Sequence, residues 1–585
     1  MYGDLVDNAA KGAQMDSACS TIDSVFPEEG EPISSAIERR RSGAEVQGDN
    51  DNAPAAKKRL VDADPDAFTI AEIFRPGCYN ALATLTAEYP VEAEHLKRAV
   101  SLLVKIEKQE GQEATDEFTI TLSDAPSQVA SPATTAASYA HSSVTAFIPL
   151  VSAFGNYLHL SNGQSILDAT GGAAVSCLGH GNARVKKAIV GQMDEVSYCH
   201  SLFYTTSAAE DLAKELIDST GGEMARAFIV SSGSEAMEAA LKMARQYFLE
   251  SQPSQEKRTK FIARRESYHG TTLGALSVGG HVARRAMFEP LLLRNISRVS
   301  PCNAYRGVRD GETVEQYVAR LAAELDEEFQ RLGPETVCAF VAEPVVGAAL
   351  GCVPPVPGYF AAMRAVCDRH GALLILDEVM SGMGRTGTMH AWQSPLIGVV
   401  PDIQTIGKGL GGGYAPVAGM LVSHKVVDAM QKGSGSFGHG QTYQGHPIAC
   451  RAALEVVRTI KEEKLVEKVQ AAGRLLGDLL RKRVAVLPHV GDVRGKGLFW
   501  AIEFVRDKDT KEPFEPSEGI AMGIHGKGMQ SPYNISVYPG TGTVDGKRGD
   551  HVLLAPAYNV TQADVEMIVE LTVRVIRDYF EEGFE

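Results

Sequence analysis

No apolar run reaches the roughly eighteen residues that a bilayer-spanning helix needs, so no membrane span is expected. Cysteine is sparse and unpatterned. Its nine copies, at positions 19, 78, 177, 199, 302, 338, 352, 367 and 450, are odd in number and contain no C-x-x-C pair. That argues against a disulfide framework and for reduced thiols in a reducing compartment. Basic residues are the minority: 57 Lys and Arg against 73 Asp and Glu leave a net charge of −16. Nucleic acid and anionic membrane, which both require a basic face, are therefore not expected partners. The opening residues MYGDLVDNAAKGAQMD lack the arginines of a transit peptide and the apolar core of a signal peptide, and the closing GFE is no peroxisomal address. A cytoplasmic location is expected. What is present is the composition of a soluble globular protein, 44% apolar and 22% charged, long enough to bury a large core.

The stretch 371–419 organises the rest. Ala372, Leu373, Leu374, Ile375 and Leu376 form an unbroken apolar run, which fits a strand buried on both faces, and Asp377 stands at its carboxyl end. Ligands of open α/β sheets bind at that edge. After the apolar-rich segment Ile403, Gln404, Thr405, Ile406, a lone Lys408 stands between Gly407 and Gly409. An amine presented so barely suggests a Schiff-base lysine. Taken singly, a loop lysine beside glycine is also an ordinary solvated residue, and a strand-end acid an ordinary cap or salt-bridge partner.

This stretch resembles the signature of the class III (omega) aminotransferases, pyridoxal-phosphate enzymes of the aspartate aminotransferase fold, and the resemblance runs over roughly residues 156–573. It implies an α/β chain of PLP fold type I, with a large domain whose mainly parallel seven-stranded sheet lies between helices, plus a smaller α+β domain. It also implies that Lys408 carries pyridoxal 5′-phosphate as a Schiff base and then acts as base, that Asp377 pairs with the pyridine nitrogen, and that Val379 belongs to the cofactor site. Chemistry supplies its own reason for the pair. The ring is a strong electron sink only while its nitrogen is protonated, and a buried carboxylate favours that proton.

Four further motifs extend the match. At residues 228–236 a short strand breaks into a helix in which Ala236, Ala239, Ala240, Met243 and Tyr247 keep helical spacing. Ser232 and Glu235 fit a capping box, while the same helix N-terminus is a natural phosphate site; by resemblance Gly233 and Ser234 bind the phosphate. Tyr268, in Tyr268-His269-Gly270, is either packing near a strand end or, by resemblance, the ring stacked on the pyridine; His269 is expected only to support the loop. The apolar run 337–342 delivers Glu343 to the same sheet edge, where a salt-bridged acid and a substrate-side glutamate are both open readings. Residues 438–447 resemble the family loop whose threonine reaches the cofactor phosphate of the neighbouring subunit, so Thr442 and a homodimer are implied. His439 and His446 have no cysteine or acid at ligand spacing, so no metal is expected. The run from Gly407 to Gly413 looks like a nucleotide loop, but no Ser or Thr follows its lysine.

Residues 1–66 are expected to form a disordered acidic tail, and 67–143 a small helical appendage with a Ser/Thr/Ala/Pro linker. Residues 144–200 then open the small domain with a hairpin turning at Asn162-Gly163. The cofactor-binding large domain is expected over 201–446. The small domain resumes over 447–585, with a long helical pattern across 452–483 and a strand within 493–504.

One departure bears on substrate. Acetylornithine and ornithine members place an arginine three residues before a proline near the C-terminus, where its fork holds a carboxylate; here Leu553 precedes Pro556. The expected donor is therefore a primary amine or an ω-amino acid, and the acceptor a keto acid such as pyruvate or 2-oxoglutarate. The insert 538–550 offers Arg548 as another carboxylate partner or as a solvated loop residue. Transamination is the expected reaction. Decarboxylation, epimerisation or an amino shift on the same scaffold, and a vestigial core acting as an interaction protein, remain the alternatives.

Overall fold

The apolar runs become strands. In the computed structural model, which describes residues 148–583, β1 (Leu150–Phe154), β2 (Tyr157–Leu160) and β3 (Ser165–Asp168) form an antiparallel meander. The tail, appendage and linker expected within residues 1–143 lie outside the described residues. The β2–β3 turn is the expected Asn162-Gly163: Gly163 takes a left-handed φ of 86°, and Asn162 Oδ1 accepts from the Gln164 N–H. Next come helices α1 (Ala183–Glu195) and α2 (Ser207–Ser219), N-capped by the Asn182 and Thr206 side chains.

Seven strands make the main sheet: β4 (Met224–Val230), β5 (Lys260–Arg264), β6 (Ile296–Val299), β7 (Val337–Ala342), β8 (Leu373–Asp377), β9 (Ile403–Ile406) and β10 (Ala418–Ser423). Their spatial order is β4-β10-β9-β8-β7-β5-β6, and β10 alone runs antiparallel to its two neighbours. Every residue of β7 and β8 is buried, as uninterrupted apolar runs require in a sheet covered on both faces. Period-two alternation divides their side chains. Val341, Leu373 and Ile375 pack with Met237, Ala240 and Ala244 of α3 (Gly233–Glu250). Phe340, Ala342, Leu374 and Leu376 pack with α4 (Val314–Leu332) and α5 (Tyr359–Arg369) through Leu325, Phe329, Phe360 and Met363. Each large side chain buried so contributes roughly 1.5–3 kcal/mol, which holds the carboxyl ends of β7, β8 and β9 in one plane.

The long helix expected across 452–483 is two helices, α6 (Pro447–Glu462) and α7 (Leu465–Arg483). Lys464 separates them in a left-handed conformation, φ 51°. The break lets Val456 and Ile460 of α6 and Leu465 and Val469 of α7 enter one core. The remaining strands are β11 (Val490–Gly495), β12 (Trp500–Phe504), β13 (Ile535–Ser536), β14 (Tyr538–Thr541) and β15 (Asp550–Leu554). Four form an antiparallel sheet, β11-β12-β15-β14, so the insert 538–550 begins as a strand. β13 pairs in parallel with β3, and the last helix, α8 (Gln562–Glu581), shares the core that holds Leu167 and Val185. Among the described residues no helix is long and apolar enough to cross a membrane.

Candidate functional site

Asp377 closes β8 as a buried carboxylate with three donors. The His269 imidazole donates from Nδ1 to Oδ2 at 2.8 Å, and the Thr405 hydroxyl and the Val379 N–H each reach Oδ1 at 3.1 Å. Since a carboxylate only accepts, the contact fixes the tautomer of His269 at Nδ1. His269 itself is buried, and its Nε2 has no partner among the described residues. The histidine expected only to support its loop therefore also aims the acid.

Lys408 follows β9 in the same edge layer. Its φ of 45° is unusual for a side-chain-bearing residue, a conformation that costs of order 1 kcal/mol or more. Flanking Gly407 and Gly409 relieve crowding there: a Cβ on Gly407 would lie 3.3 Å from Val379 Cγ1, and one on Gly409 3.2 Å from the Tyr558 hydroxyl. Burial pushes the Lys408 amine below its ordinary range; Asp377 and Glu343 oppose this, and Arg284 reinforces it. Among the described residues no hydrogen bond is made to its Nζ.

At the start of α3, Ser232 Oγ accepts from the Glu235 N–H at 3.3 Å, half of the expected capping box. The other half is displaced by one residue: the Glu235 carboxylate takes the Ser231 N–H at 2.9 Å. The glycine at 233 is required sterically, because a Cβ there would sit 2.8 Å from Val379 Cγ1. Ser234 Oγ accepts from the Thr271 N–H at 3.0 Å, and Gly270, at φ 128°, crosses so close that a Cβ would come within 2.5 Å of that oxygen. The 268–271 loop thus seats directly on the helix start.

Glu343, one residue beyond β7, accepts from the Tyr268 N–H at 3.1 Å and the Gly347 N–H at 2.9 Å, and burial raises its carboxyl above the ordinary range. It makes no salt bridge among the described residues; its bonds fix the backbone of Tyr268. The Tyr268 ring packs on Val346, Ala349, Leu350 and Val353, with the Arg284 guanidinium carbon 5.0 Å from its centroid. Arg284 is the residue that sequence reasoning passed over. The other two candidates stand apart: Thr442 is exposed in a turn ahead of α6, and Arg548 is ion-paired with Asp545 at 2.8 Å within its own loop. Leu553 is buried in an apolar cluster with Val345, Phe499 and Ala501.

These features recur in known proteins. The sequence profile described as Aminotransferase class-III matches residues 138–576. The chain belongs to the class-III aminotransferases. An aminotransferase of Gibberella zeae is 57% identical over 421 residues, which cover 72% of this chain and 82% of that protein. Gamma aminobutyrate transaminase 3 of Solanum lycopersicum is 33% identical over 433 residues, covering 72% and 79%. Among solved structures, the omega transaminase of Pseudomonas jessenii in complex with PMP aligns with a TM-score of 0.68 at 32% identity, covering 74% of this chain and 93% of that one. This class-III aminotransferase is accordingly an enzyme, a transferase with the PLP type I fold, in a family that depends on pyridoxal phosphate.

Proposed function

We propose that this aminotransferase binds pyridoxal 5′-phosphate through Lys408 and moves an amino group from a primary amine or ω-amino acid to a keto acid such as pyruvate or 2-oxoglutarate. One observation carries the reading: a largely buried lysine amine without a hydrogen-bond partner among the described residues lies at the same strand edge as a carboxylate held by three hydrogen bonds. The residues present fit the cofactor. Gly233 and Ser234 offer backbone amides at a helix N-terminus to its phosphate, and Val379 fills the space that the glycine at 233 leaves open. When bound, pyridoxal phosphate supplies an electron sink for the charge left as a C–H bond next to nitrogen breaks.

The protein's part is orientation and proton traffic. Asp377, aimed by His269 and Thr405, holds a proton on the ring nitrogen. The Lys408 amine, made easier to deprotonate by burial, takes the proton from the substrate carbon bearing nitrogen. Glu343 secures the backbone of Tyr268, whose ring provides the stacking face. The relative named for gamma aminobutyrate supports an ω-amino acid among the donors.

A homodimer completes the proposal. Leu202, Phe203, Tyr204 and Tyr443 are 76%, 75%, 67% and 57% exposed. Tyr204 also lines a cleft of about 740 Å³ with Phe228 and Gln444, next to Thr442. So much exposed aromatic and aliphatic surface marks a contact face, and a second copy seated there would bring Thr442 to its partner's phosphate site. Seven free cysteines among the described residues accord with the cytosol. The test is product analysis of purified protein given pyridoxal phosphate and a donor panel, with and without keto acid. Strict dependence on the acceptor, and a new amino acid formed from it, is expected; carbon dioxide release or turnover without acceptor would replace transfer by another reaction.

A further inference from the structure

Arg284 lies on the short helical turn Val282–Arg285, and its neighbours show what arginines in this region ordinarily do. Arg285 donates to the carbonyl oxygens of Leu276, Ser277 and Gly279 at 2.7, 2.8 and 2.9 Å and pairs with Glu289 at 3.0 Å. Arg298 donates to the Gly279 carbonyl, Arg264 to the Glu343 carbonyl, Arg265 to Ser300 and Glu324, and Arg548 to Asp545. Among the described residues Arg284 alone of this group has neither a hydrogen bond nor an ion pair. It lies over the face of the Tyr268 ring, 5.0 Å from the centroid. The half-buried guanidinium presents five donors in a planar fork that matches a carboxylate, and no described residue engages them.

The fork lies beside the site, over the ring whose backbone Glu343 fixes. The positive charge of Arg284 is felt at the Lys408 amine, at the Tyr268 hydroxyl and at His281, whose Nδ1 is also buried without a partner. Val282, on the same turn, is wedged against the insert loop, since a Cβ on Gly546 would fall 2.4 Å from Val282 Cγ2. The turn is therefore held from behind by Arg285 and from the side by residue 546. Neither of the other two positions considered for a carboxylate offers a rival fork. Leu553 is apolar and buried, and Arg548 already has an acid.

We propose that Arg284 recognises the carboxylate of the amine donor and selects carboxylated donors over plain amines. The inference rests on the transaminase reading above and names the residue that sets its donor preference. A stacked arginine is already oriented, so less freedom is lost when it grips a carboxylate.

The test compares equal-length pairs, β-alanine to 6-aminohexanoate against the matching alkylamines, with the pyridoxal-phosphate-loaded wild type and the Arg284→Met and Arg284→Lys variants, and the acceptor held constant. Arg284→Met is expected to raise KM for the amino acids by roughly 10- to 100-fold, the loss a charge-assisted bond carries, with the alkylamines little changed and Arg284→Lys in between. An independent readout is the perturbation of the bound cofactor's visible band by butanoate, which has the carboxylate and no amine; Arg284→Met should abolish it. Equal loss for both members of a pair would make Arg284 a positioning residue for Tyr268 and overturn the proposal. Weaker cofactor binding with an unaltered donor preference would also overturn it, as would no change. If no donor bleaches the wild-type band, it is the transaminase reading that fails, a result separable from all of these.

Discussion

Asp377 accepts three hydrogen bonds from the protein itself, whereas Lys408 and Arg284 make none among the described residues. The first arrangement is complete before any small molecule arrives. In the second, an amine and a guanidinium are left without a hydrogen bond from any described residue. The contrast separates a half that holds a group in one orientation from a half that, on the proposed reading, meets changing substrates. A satisfied buried carboxylate stays where it is placed, while donors left open by the protein are available to an incoming anion or carbonyl.

Removing the open half's amine should have the largest effect. Lys408→Ala is expected to lower turnover by about a thousandfold or more, since the covalent and proton-transfer roles vanish together. The protein should still fold and retain pyridoxal phosphate through gel filtration; activity near wild type would refute the assignment. Next in size is Gly233→Ala, which drives a Cβ to 2.8 Å from Val379 Cγ1 at the proposed phosphate cradle. Overpacking of this kind costs roughly 1–3 kcal/mol, read as weaker cofactor affinity by fluorescence titration. The double variant with Val379→Ala should recover most of it, and no recovery would mean that the cradle is disturbed otherwise.

The held half also carries a pH signature. Glu378, wholly buried behind Asp377, accepts from the Ala391 and Trp392 N–H groups at 2.6 and 2.8 Å, yet burial pushes its carboxyl from 4.5 up to about 8. The folded chain then keeps a proton that the unfolded chain releases. Its contribution to stability is greatest below about pH 4.5 and is lost as pH rises toward 8. Glu378→Gln, which cannot titrate, should flatten that slope in urea midpoints measured from pH 5 to 8; an unchanged slope would place the proton elsewhere. The smallest effect is expected of Ser232→Ala. It deletes the α3 cap bond to the Glu235 N–H, worth about 1 kcal/mol, and should shift the unfolding midpoint slightly without altering donor preference.

How much of this was legible in the sequence follows the same division. Five apolar residues and then an acid mark the end of a buried strand, and a lysine between glycines marks a barely presented amine, so Asp377 and Lys408 could be found by pattern. The His269 contact could not, because 108 residues separate it from Asp377 and only the strand order β8-β7-β5 brings them together. Arg284 was hidden for another reason. It stands beside Arg285 in Val-Ala-Arg-Arg, and nothing local tells which arginine will spend its donors on backbone carbonyls. The division of 452–483 into two helices turned on Lys464, a residue with no intrinsic preference for the left-handed region, placed there because both apolar faces share one core. Where tertiary packing overrode a local pattern, reading by pattern missed it.

The central claim is that Lys408 and Asp377 form a working site for pyridoxal phosphate. It is tested most directly by the visible absorption spectrum of the purified protein supplied with the cofactor, before and after a donor is added. An imine band that an amine or ω-amino acid bleaches and a keto acid restores, and that Lys408→Ala replaces with the band of the unlinked aldehyde, is the predicted result. No imine band, or one that forms equally well in Lys408→Ala, would contradict the account.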